Sequence, residues 1–146
     1  MHKMAKFRYL PHTADMRFRS YGTDFRHSLE NAALALLNTM LDIKGINADK
    51  SKESRIIIRE SADTEEELAW FTLQDILSKV DSRKLNAYSF KINSIERKKR
   101  MKLSGVLHCK LSKKDFSMLS VKAVTPHDLK VERKNGITSI QVVIDV

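Results

Sequence analysis

Short alternating runs of apolar residues near the start of the chain predict two strands. Residues 6–10 and 15–21 both alternate apolar with polar side chains, which is the period of a half-buried strand. Pro11 stands between them, and because proline cannot donate a ladder hydrogen bond, we expect the chain to bend there. The first elements are therefore two strands joined through residues 11–14.

Two later segments carry apolar residues at three- and four-residue steps, the pattern of a helix with one buried face. The first covers about residues 24–41, and Thr23 or Asp24 can cap its start. The second follows Thr64, which forms a capping-box pattern with Glu67. We expect this second helix to end before residues 82–84.

The segment between the two helices divides into two parts. Residues 44–54 are polar and carry no periodic apolar signal, so we predict a loop. Residues 55–60 include three consecutive isoleucines, and β-branched residues of this kind favour a strand.

From residue 86 onward the apolar period changes from helical to alternating, which predicts strands. The alternating sets are Tyr88, Phe90 and Ile92; Leu103, Gly105, Leu107, Cys109 and Leu111; Leu119, Val121 and Ala123; and Ile140, Val142 and Ile144. Asn135 and Gly136 form a type I′ turn signal that joins residues 129–133 to the last strand. We therefore predict an α+β fold, a single domain over residues 1–146 with two helices packed on one mostly antiparallel sheet.

Composition narrows the class of protein. The single cysteine, Cys109, cannot form an internal disulfide, and no apolar run approaches the ~20 residues that span a bilayer. We expect a cytoplasmic protein that does not enter a membrane. Four dispersed glycines provide no phosphate-binding loop, and neither a Gly-x-Ser-x-Gly elbow nor a His-Glu-x-x-His helix is present.

The chain is basic, with 27 Lys+Arg against 18 Asp+Glu and a formal net charge of +9. Such a charge favours encounter with polyanions such as RNA. Residues 97–100 (RKKR) are the densest basic run and contain no aromatic residue. We interpret them as a solvated turn, with an RNA or protein docking patch as the alternative.

Three places in the sequence could carry chemistry. Residues 12–15 (HTAD) enter the second strand, where the Asp15 side chain can hold a turn or offer an outward carboxylate oxygen. Asp145 ends the last apolar strand beside the terminal carboxylate of Val146, which gives two anionic oxygen donors of the kind that Ca²⁺ and Mg²⁺ prefer. The ordinary alternatives are a turn-forming aspartate and a solvated strand end.

The third place is Lys122, which alternates with apolar neighbours and is predicted to project from the opposite face of its strand. Thr125 and His127 follow near the same strand end. An exposed strand lysine with no function is the ordinary alternative for Lys122, and a surface turn residue is the alternative for His127.

Together these patches resemble the archease family, in order and over the whole chain. The resemblance rests on residues 12–15 (HTAD) leading to Tyr21-Gly22, the helix residues 29–36 (LENAALAL), residues 121–125 (VKAVT) with His127, and residues 142–146 (VVIDV). The chain departs from the family pattern at Ser120, where a glutamate is common, and at Pro126, where a tyrosine is usual. The third protein ligand of any metal site is therefore left open.

The resemblance implies the archease α+β fold and a divalent cation held by Asp15 and Asp145. Ca²⁺ is the expected cation, with Mg²⁺ or Mn²⁺ as alternatives. Lys122 would lie beside it, and Asp15, Lys122, Asp145 and His12 would take part in ligase activation. The implied role is to promote guanylylation, and so multiple turnover, of an RtcB-type RNA ligase in tRNA splicing. The protein would then be an activator and not itself an enzyme.

Two other classes stay open from the sequence. A basic RNA-binding or RNA-chaperone module would use residues 97–100 and Lys102 as its contact patch, with tRNA or other RNA as partner. A metal-dependent phosphoesterase would use the same carboxylates, although such enzymes generally assemble more ligands.

Overall fold

Seven strands and three helices follow one another along residues 4–10 and 15–146, the parts of the chain that this computed structural model describes. In chain order they are β1 (Phe7–Leu10), β2 (Met16–Gly22), α1 (Phe25–Met40), α2 (Ile43–Ala48), β3 (Glu53–Ala62), α3 (Glu65–Arg83), β4 (Asn86–Arg97), β5 (Met101–Lys110), β6 (Ala123–Lys134) and β7 (Ile137–Asp145). This order confirms the α+β class.

The strands form two antiparallel sheets. The first has the order β1-β2-β7-β6, so the first and last parts of the chain lie side by side at its centre. The second has the order β3-β5-β4. Asn135 and Gly136 both adopt positive φ in the β6–β7 hairpin, which confirms the predicted type I′ turn.

Helices α1 and α3 bridge the two sheets. Helix α1 packs against β2 and β7 of the first sheet and β4 of the second, while α3 packs against β6 and β3. Because α1 has protein on both sides, it is buried over most of its surface, including adjacent alanines at 32 and 33 and leucines at 36 and 37. One cluster of buried residues joins both helices to both sheets.

Local sequence signals explain where these helices begin. The Asp24 carboxylate accepts from the His27 N–H, and the Thr64 hydroxyl accepts from the Glu67 N–H, so each satisfies an otherwise unpaired donor. Gly22 lies where β2 runs into α1, and a Cβ there would stand 2.4 Å from the Ser28 backbone nitrogen. Only glycine fits that approach.

Several boundaries differ from the sequence predictions. Residues 44–54 are not a loop throughout, because the Asp42 side chain caps the short helix α2 and β3 already begins at Glu53. Helix α2 places only Ile46 in the core, which is too little for a periodic signal. Helix α3 runs to Arg83, past its predicted end, and Lys84 stops it in the left-handed region with φ 52°.

Two further predictions need correction. Residues 119–122 are not a strand: Leu119 is 42% exposed, Val121 alone of the three predicted positions is buried, and β6 begins only at Ala123. The strands form two sheets rather than one, and the short α2 makes a third helix in the described residues. The alternation of single strands does not indicate which strands share a sheet.

Candidate functional site

The pairing of β2 with β7 brings Asp15 to Asp145. Met16 lies opposite Ile144, and the same antiparallel register continued by one residue places Asp15 opposite Asp145. Directly opposed residues of adjacent strands have Cα atoms roughly 5 Å apart and point to the same face of the sheet. Ile144 is fully buried against the helices, so both aspartates belong to the outer face, where each is half-buried.

Lys122 reaches the same place from the other side of β7. Its backbone N–H donates to the carbonyl oxygen of Asp145 at 2.7 Å, and the next residue, Ala123, pairs with Asp145. The Lys122 side chain is exposed while Val121 is buried, although Lys122 itself precedes β6 and is not part of a strand. Three chain segments therefore bring Asp15, Asp145 and Lys122 together at one end of the first sheet.

The remaining candidate residues differ in where they lie relative to Asp145. Thr125 pairs with Val143, so it lies on the face of Asp145, two residues further along, and its hydroxyl donates to the His127 carbonyl at 3.2 Å. The exposed His127 ring turns instead towards Asp128, with 3.6 Å between Nε2 and Oδ2. Val146 follows β7 and is 36% exposed. His12 lies outside the described residues, and its predicted role stays a prediction.

Helix α3 fixes the start of β6 from the core side. The Trp70 indole N–H donates to the Val124 carbonyl at 2.8 Å, and the Gln74 side-chain oxygen accepts from the Val124 N–H at 2.9 Å. Val124 is thus held through both of its backbone groups, two residues after Lys122. The sequence reasoning missed this contact, because Trp70 and Gln74 read only as helix residues.

A second group that the sequence reasoning missed lies next along the same face. Asp128 adopts φ 60° within the irregular stretch of β6, and its carboxylate lies 3.5 Å from Arg17 Nη2. Gln141 donates to the Asp128 carbonyl at 3.0 Å and accepts from Arg19 at 2.9 Å. The sequence feature that could have indicated this group is Gln141, a buried amide within an otherwise apolar strand.

The donor set at this end of the sheet suits a hard cation with few protein ligands. Asp15 and Asp145 supply two carboxylates on one face, and carboxylate oxygen is the donor that Ca²⁺, Mg²⁺ and Mn²⁺ prefer. Over residues 4–10 and 15–146, no group of three or more His, Cys, Asp or Glu side chains is arranged to hold a metal ion. Water or oxygen atoms of a partner would occupy the remaining coordination positions of such a cation.

An acid pair lies between β3 and α3, with Glu60 on the face of β3 that also carries the buried Ile58 and Ala62. Burial, a hydrogen bond to Asp75 and the charge of Asp75 raise the pKa of Glu60 to about 8. Burial also acts on Asp75, but hydrogen bonds from Glu60 and Lys79 outweigh it and hold the pKa of Asp75 below its usual value. Lys79 Nζ lies 2.5 Å from Asp75 Oδ1, so the protonated Glu60 and Lys79 both donate to one carboxylate.

The basic turn at residues 97–100 is partly neutralised. Arg97 pairs with Glu65 at 2.9 Å and Arg100 pairs with Asp63 at 3.0 Å. Glu65 also accepts two hydrogen bonds from Arg133. Burial tends to raise the pKa of Glu65, but the hydrogen bonds from Arg133 and Arg97 outweigh it and lower the pKa. The two arginines of the turn therefore serve its attachment to α3, which agrees with a solvated turn better than with a docking patch.

These features define a small α+β protein with two neighbouring aspartates at one end of its first sheet. The family model described as "Archease protein family (MTH1598/TM1083)" matches residues 7–146. The chain therefore belongs to the archease family. Protein archease of Methanosarcina barkeri is 31% identical over 97% of this chain and 96% of that protein. Protein archease of Sulfurisphaera tokodaii is 29% identical over 98% and 100%.

Solved structures agree with this assignment. The solution structure of Methanobacterium thermoautotrophicum protein 1598 matches 98% of this chain and 100% of its own, with a TM-score of 0.77 and 25% identity. A Thermotoga maritima crystal structure, described as an archease and possible chaperone, covers both chains completely, with a TM-score of 0.56 and 22% identity. The second likeness supports the fold alone.

Among the helices of the described residues, none is long and apolar enough to cross a membrane.

Proposed function

We propose that this protein promotes guanylylation of an RtcB-type tRNA-splicing RNA ligase, with a divalent cation held by Asp15 and Asp145. The observation that supports the proposal is the register of β2 on β7, which pairs Met16 with Ile144 and, continued by one residue, would set the two carboxylates opposite each other on the outer face. The family and the fold agree with an accessory role. The proposed cation is Ca²⁺, with Mg²⁺ or Mn²⁺ as alternatives.

The two aspartates would bind the cation and leave part of its coordination open. Since the described residues hold no group of three or more His, Cys, Asp or Glu ligands, a third oxygen would come from water, the ligase or a nucleotide phosphate. When bound, a divalent cation supplies positive charge to phosphate oxygens during nucleotide transfer. The carboxylates orient it because β2 and β7 are central strands of the first sheet.

Lys122 would act as a donor beside this pair. Its backbone is bonded to the Asp145 carbonyl and its side chain is exposed, so the ammonium can reach an anion that approaches the carboxylates from outside. A lysine presents a compact charge with three donors to such an anion. The nucleotide-accepting histidine belongs to the ligase, so this chain contributes positioning and charge and forms no covalent bond.

The test is multiple-turnover ligation by purified cognate ligase, with GTP and RNA ends, in the presence and absence of this protein. We expect the wild-type protein to sustain turnover and Asp145→Asn to fail at equal concentration. Glu66→Gln is the matched control, because Glu66 is an exposed carboxylate at the first turn of α3. The neighbouring Glu65 pairs with Arg133, and Arg133 lies opposite Thr138 at the other end of β7 from Asp145. Equal ligation with wild type, Asp145→Asn and no added protein would refute the proposal.

The same samples address the phosphoesterase alternative. Release of inorganic phosphate from GTP by this protein alone, dependent on Asp145, would replace the activator proposal with an enzymatic one. We expect no such release, since two carboxylates and one lysine fall short of the ligand sets of two-metal hydrolases.

A further inference from the structure

We infer that the outer face of the second sheet binds a single strand of nucleic acid. The inference concerns residues on β3, β5 and β4 and does not depend on the proposed ligase activation. The proposed contact surface is separate from the basic turn at residues 97–100, where both arginines form ion pairs with acids.

The sheet register defines this face, because residues in directly paired positions point the same way. Leu103, Gly105, Leu107 and Cys109 are buried, so the intervening residues of β5 point outward. Their partners form successive rows across the sheet. These rows are Arg55-His108-Ser89, Ile57-Val106-Lys91, Arg59-Ser104-Ser94 and Ser61-Lys102-Glu96.

The cations of this face are available to a ligand. Arg55, Arg59, Lys91 and Lys102 are all exposed, and within the described residues none of the four forms an ion pair. Every arginine of the basic turn and of the β6–β7 hairpin does form one. The second sheet therefore presents four cations that no ion pair neutralises within the described residues.

The acids of this face lie at its margins. Glu53 accepts a hydrogen bond from the Tyr88 hydroxyl at 2.5 Å, and Glu96 lies across from Lys102. Neither of them shares a row with Arg55, Arg59 or Lys91. A polyanion that crosses these central rows meets three cations and no carboxylate in the same rows, which favours association electrostatically.

Apolar and aromatic groups accompany the charge. Ile57 is 57% exposed at the centre of the face, next to Val106. At one end the Tyr88 and His108 rings lie 6.2 Å apart with an interplanar angle of 38°. Single-strand binding surfaces combine cations for the backbone with rings and flat apolar groups for the bases. An acidic protein surface would use the charges but has no need of the rings.

A shallow depression on the same face brings cations and hydroxyls together. Arg59, Lys102, Ser94 and Ser104 line a volume of about 420 Å³, and Glu60 and Glu96 line it as well. Hydroxyls and cations together are common phosphate partners in nucleic-acid complexes. The backbone would thus follow Arg59, Ser104 and Lys91 while bases reach Ile57 and the rings.

The test is fluorescence anisotropy with a labelled single-stranded RNA of mixed sequence and about twelve nucleotides, a length within the usual site sizes. We compare Arg59→Ala/Lys91→Ala with Lys98→Ala/Lys99→Ala, which removes the same charge from the exposed turn. We expect about a tenfold or larger loss of affinity for the first variant and less than about threefold for the second. The salt slope of the first variant should fall by about 1.4.

A second pair of variants tests the rings. We expect Tyr88→Leu to weaken binding by about fivefold or more and Tyr88→Phe to bind as wild type, because stacking needs the ring and not the hydroxyl. Thermal melts check that all variants stay folded.

Four outcomes would overturn the inference. Two concern affinity: no RNA binding at low salt, or equal losses of RNA affinity for Arg59→Ala/Lys91→Ala and Lys98→Ala/Lys99→Ala. The other two concern the ligand: tighter binding of duplex RNA of equal length, or displacement of the RNA by polyglutamate at equal charge concentration. The last outcome would assign the face to an acidic protein.

Discussion

The carbonyl oxygen of Asp145 accepts a 2.7 Å hydrogen bond from the backbone N–H of Lys122. This bond ties the irregular segment before β6 to the last residue of β7. Since Met16, the residue after Asp15, lies opposite Ile144, the residue before Asp145, the bond also ties Lys122 to the end of the sheet where both aspartates stand. The position of the lysine is therefore set by backbone pairing, and its side chain can be changed without moving the chain.

The first prediction concerns cation affinity. Asp15→Ala and Asp145→Ala should each weaken Ca²⁺ binding by about tenfold or more, because each removes one of two protein carboxylates from the site. Calorimetric titration measures the affinity. Glu66→Ala, at the first turn of α3, is the control and should bind as wild type. If both site variants keep the wild-type affinity, the aspartates serve only the turn and the strand end.

The second prediction concerns Lys122. Lys122→Ala should keep Ca²⁺ affinity but slow guanylylation of the ligase by about tenfold to a hundredfold, the equivalent of losing a charge-assisted hydrogen bond of about 1.5–3 kcal/mol. Lys122→Arg should recover part of the rate, since a planar fork cannot fully replace a compact ammonium. Labelled GTP measures the rate. A wild-type rate for Lys122→Ala would remove this residue from the proposed mechanism.

The third prediction concerns the attachment of β6 to α3. Gln74→Ala should destabilise the fold by about 1–3 kcal/mol, because it leaves the N–H of Val124 without its partner. Trp70→Phe keeps a ring but removes the donor to the Val124 carbonyl and should cost about 1 kcal/mol. Urea denaturation measures both. Ser78→Ala, which removes only an exposed acceptor of Gln74, is the control and should change stability by less than about 0.5 kcal/mol.

The fourth prediction concerns pH. The pKa of Glu60 rises to about 8 in the fold, so between its ordinary value and 8 the folded state holds more protons than the unfolded state. Stability should therefore fall as pH rises through this window. After solvent screening of this half-buried group we expect a change on the order of 1 kcal/mol between pH 5 and about pH 8.5.

Glu60→Gln supplies the control for that measurement, since an amide cannot lose the proton that Glu60 loses. Its denaturation midpoint should change less with pH over the same range. A wild-type midpoint that rises from pH 5 to pH 8 would contradict the assignment of the shared proton to Glu60 and Asp75.

The helices and most strands could be predicted because their signals are local. The caps at Asp24 and Thr64 and the turn at Asn135 and Gly136 lie within a few residues of the structure they determine. The failures were at segments without such signals. Helix α2 buries one side chain only, and the segment before β6 carries exposed apolar residues that imitate a strand.

The candidate site could likewise be predicted only where the sequence carries a local signal. The aspartates and Lys122 could be named from the family resemblance, but their proximity follows from pairing between strands at opposite ends of the chain. No local pattern specifies such a pairing. The positive φ of Asp128, which brings its carboxylate to Arg17, likewise has no signal in the sequence.

Glu65 holds arginines from two different sheets, Arg97 at the end of β4 and Arg133 near the end of β6. The tips of two hairpins are thereby fastened to a single carboxylate at the first turn of α3. Displacement of either tip withdraws a counter-charge that the other shares. The two hairpins should therefore loosen together when salt screens this carboxylate, as one mechanical unit that spans both sheets.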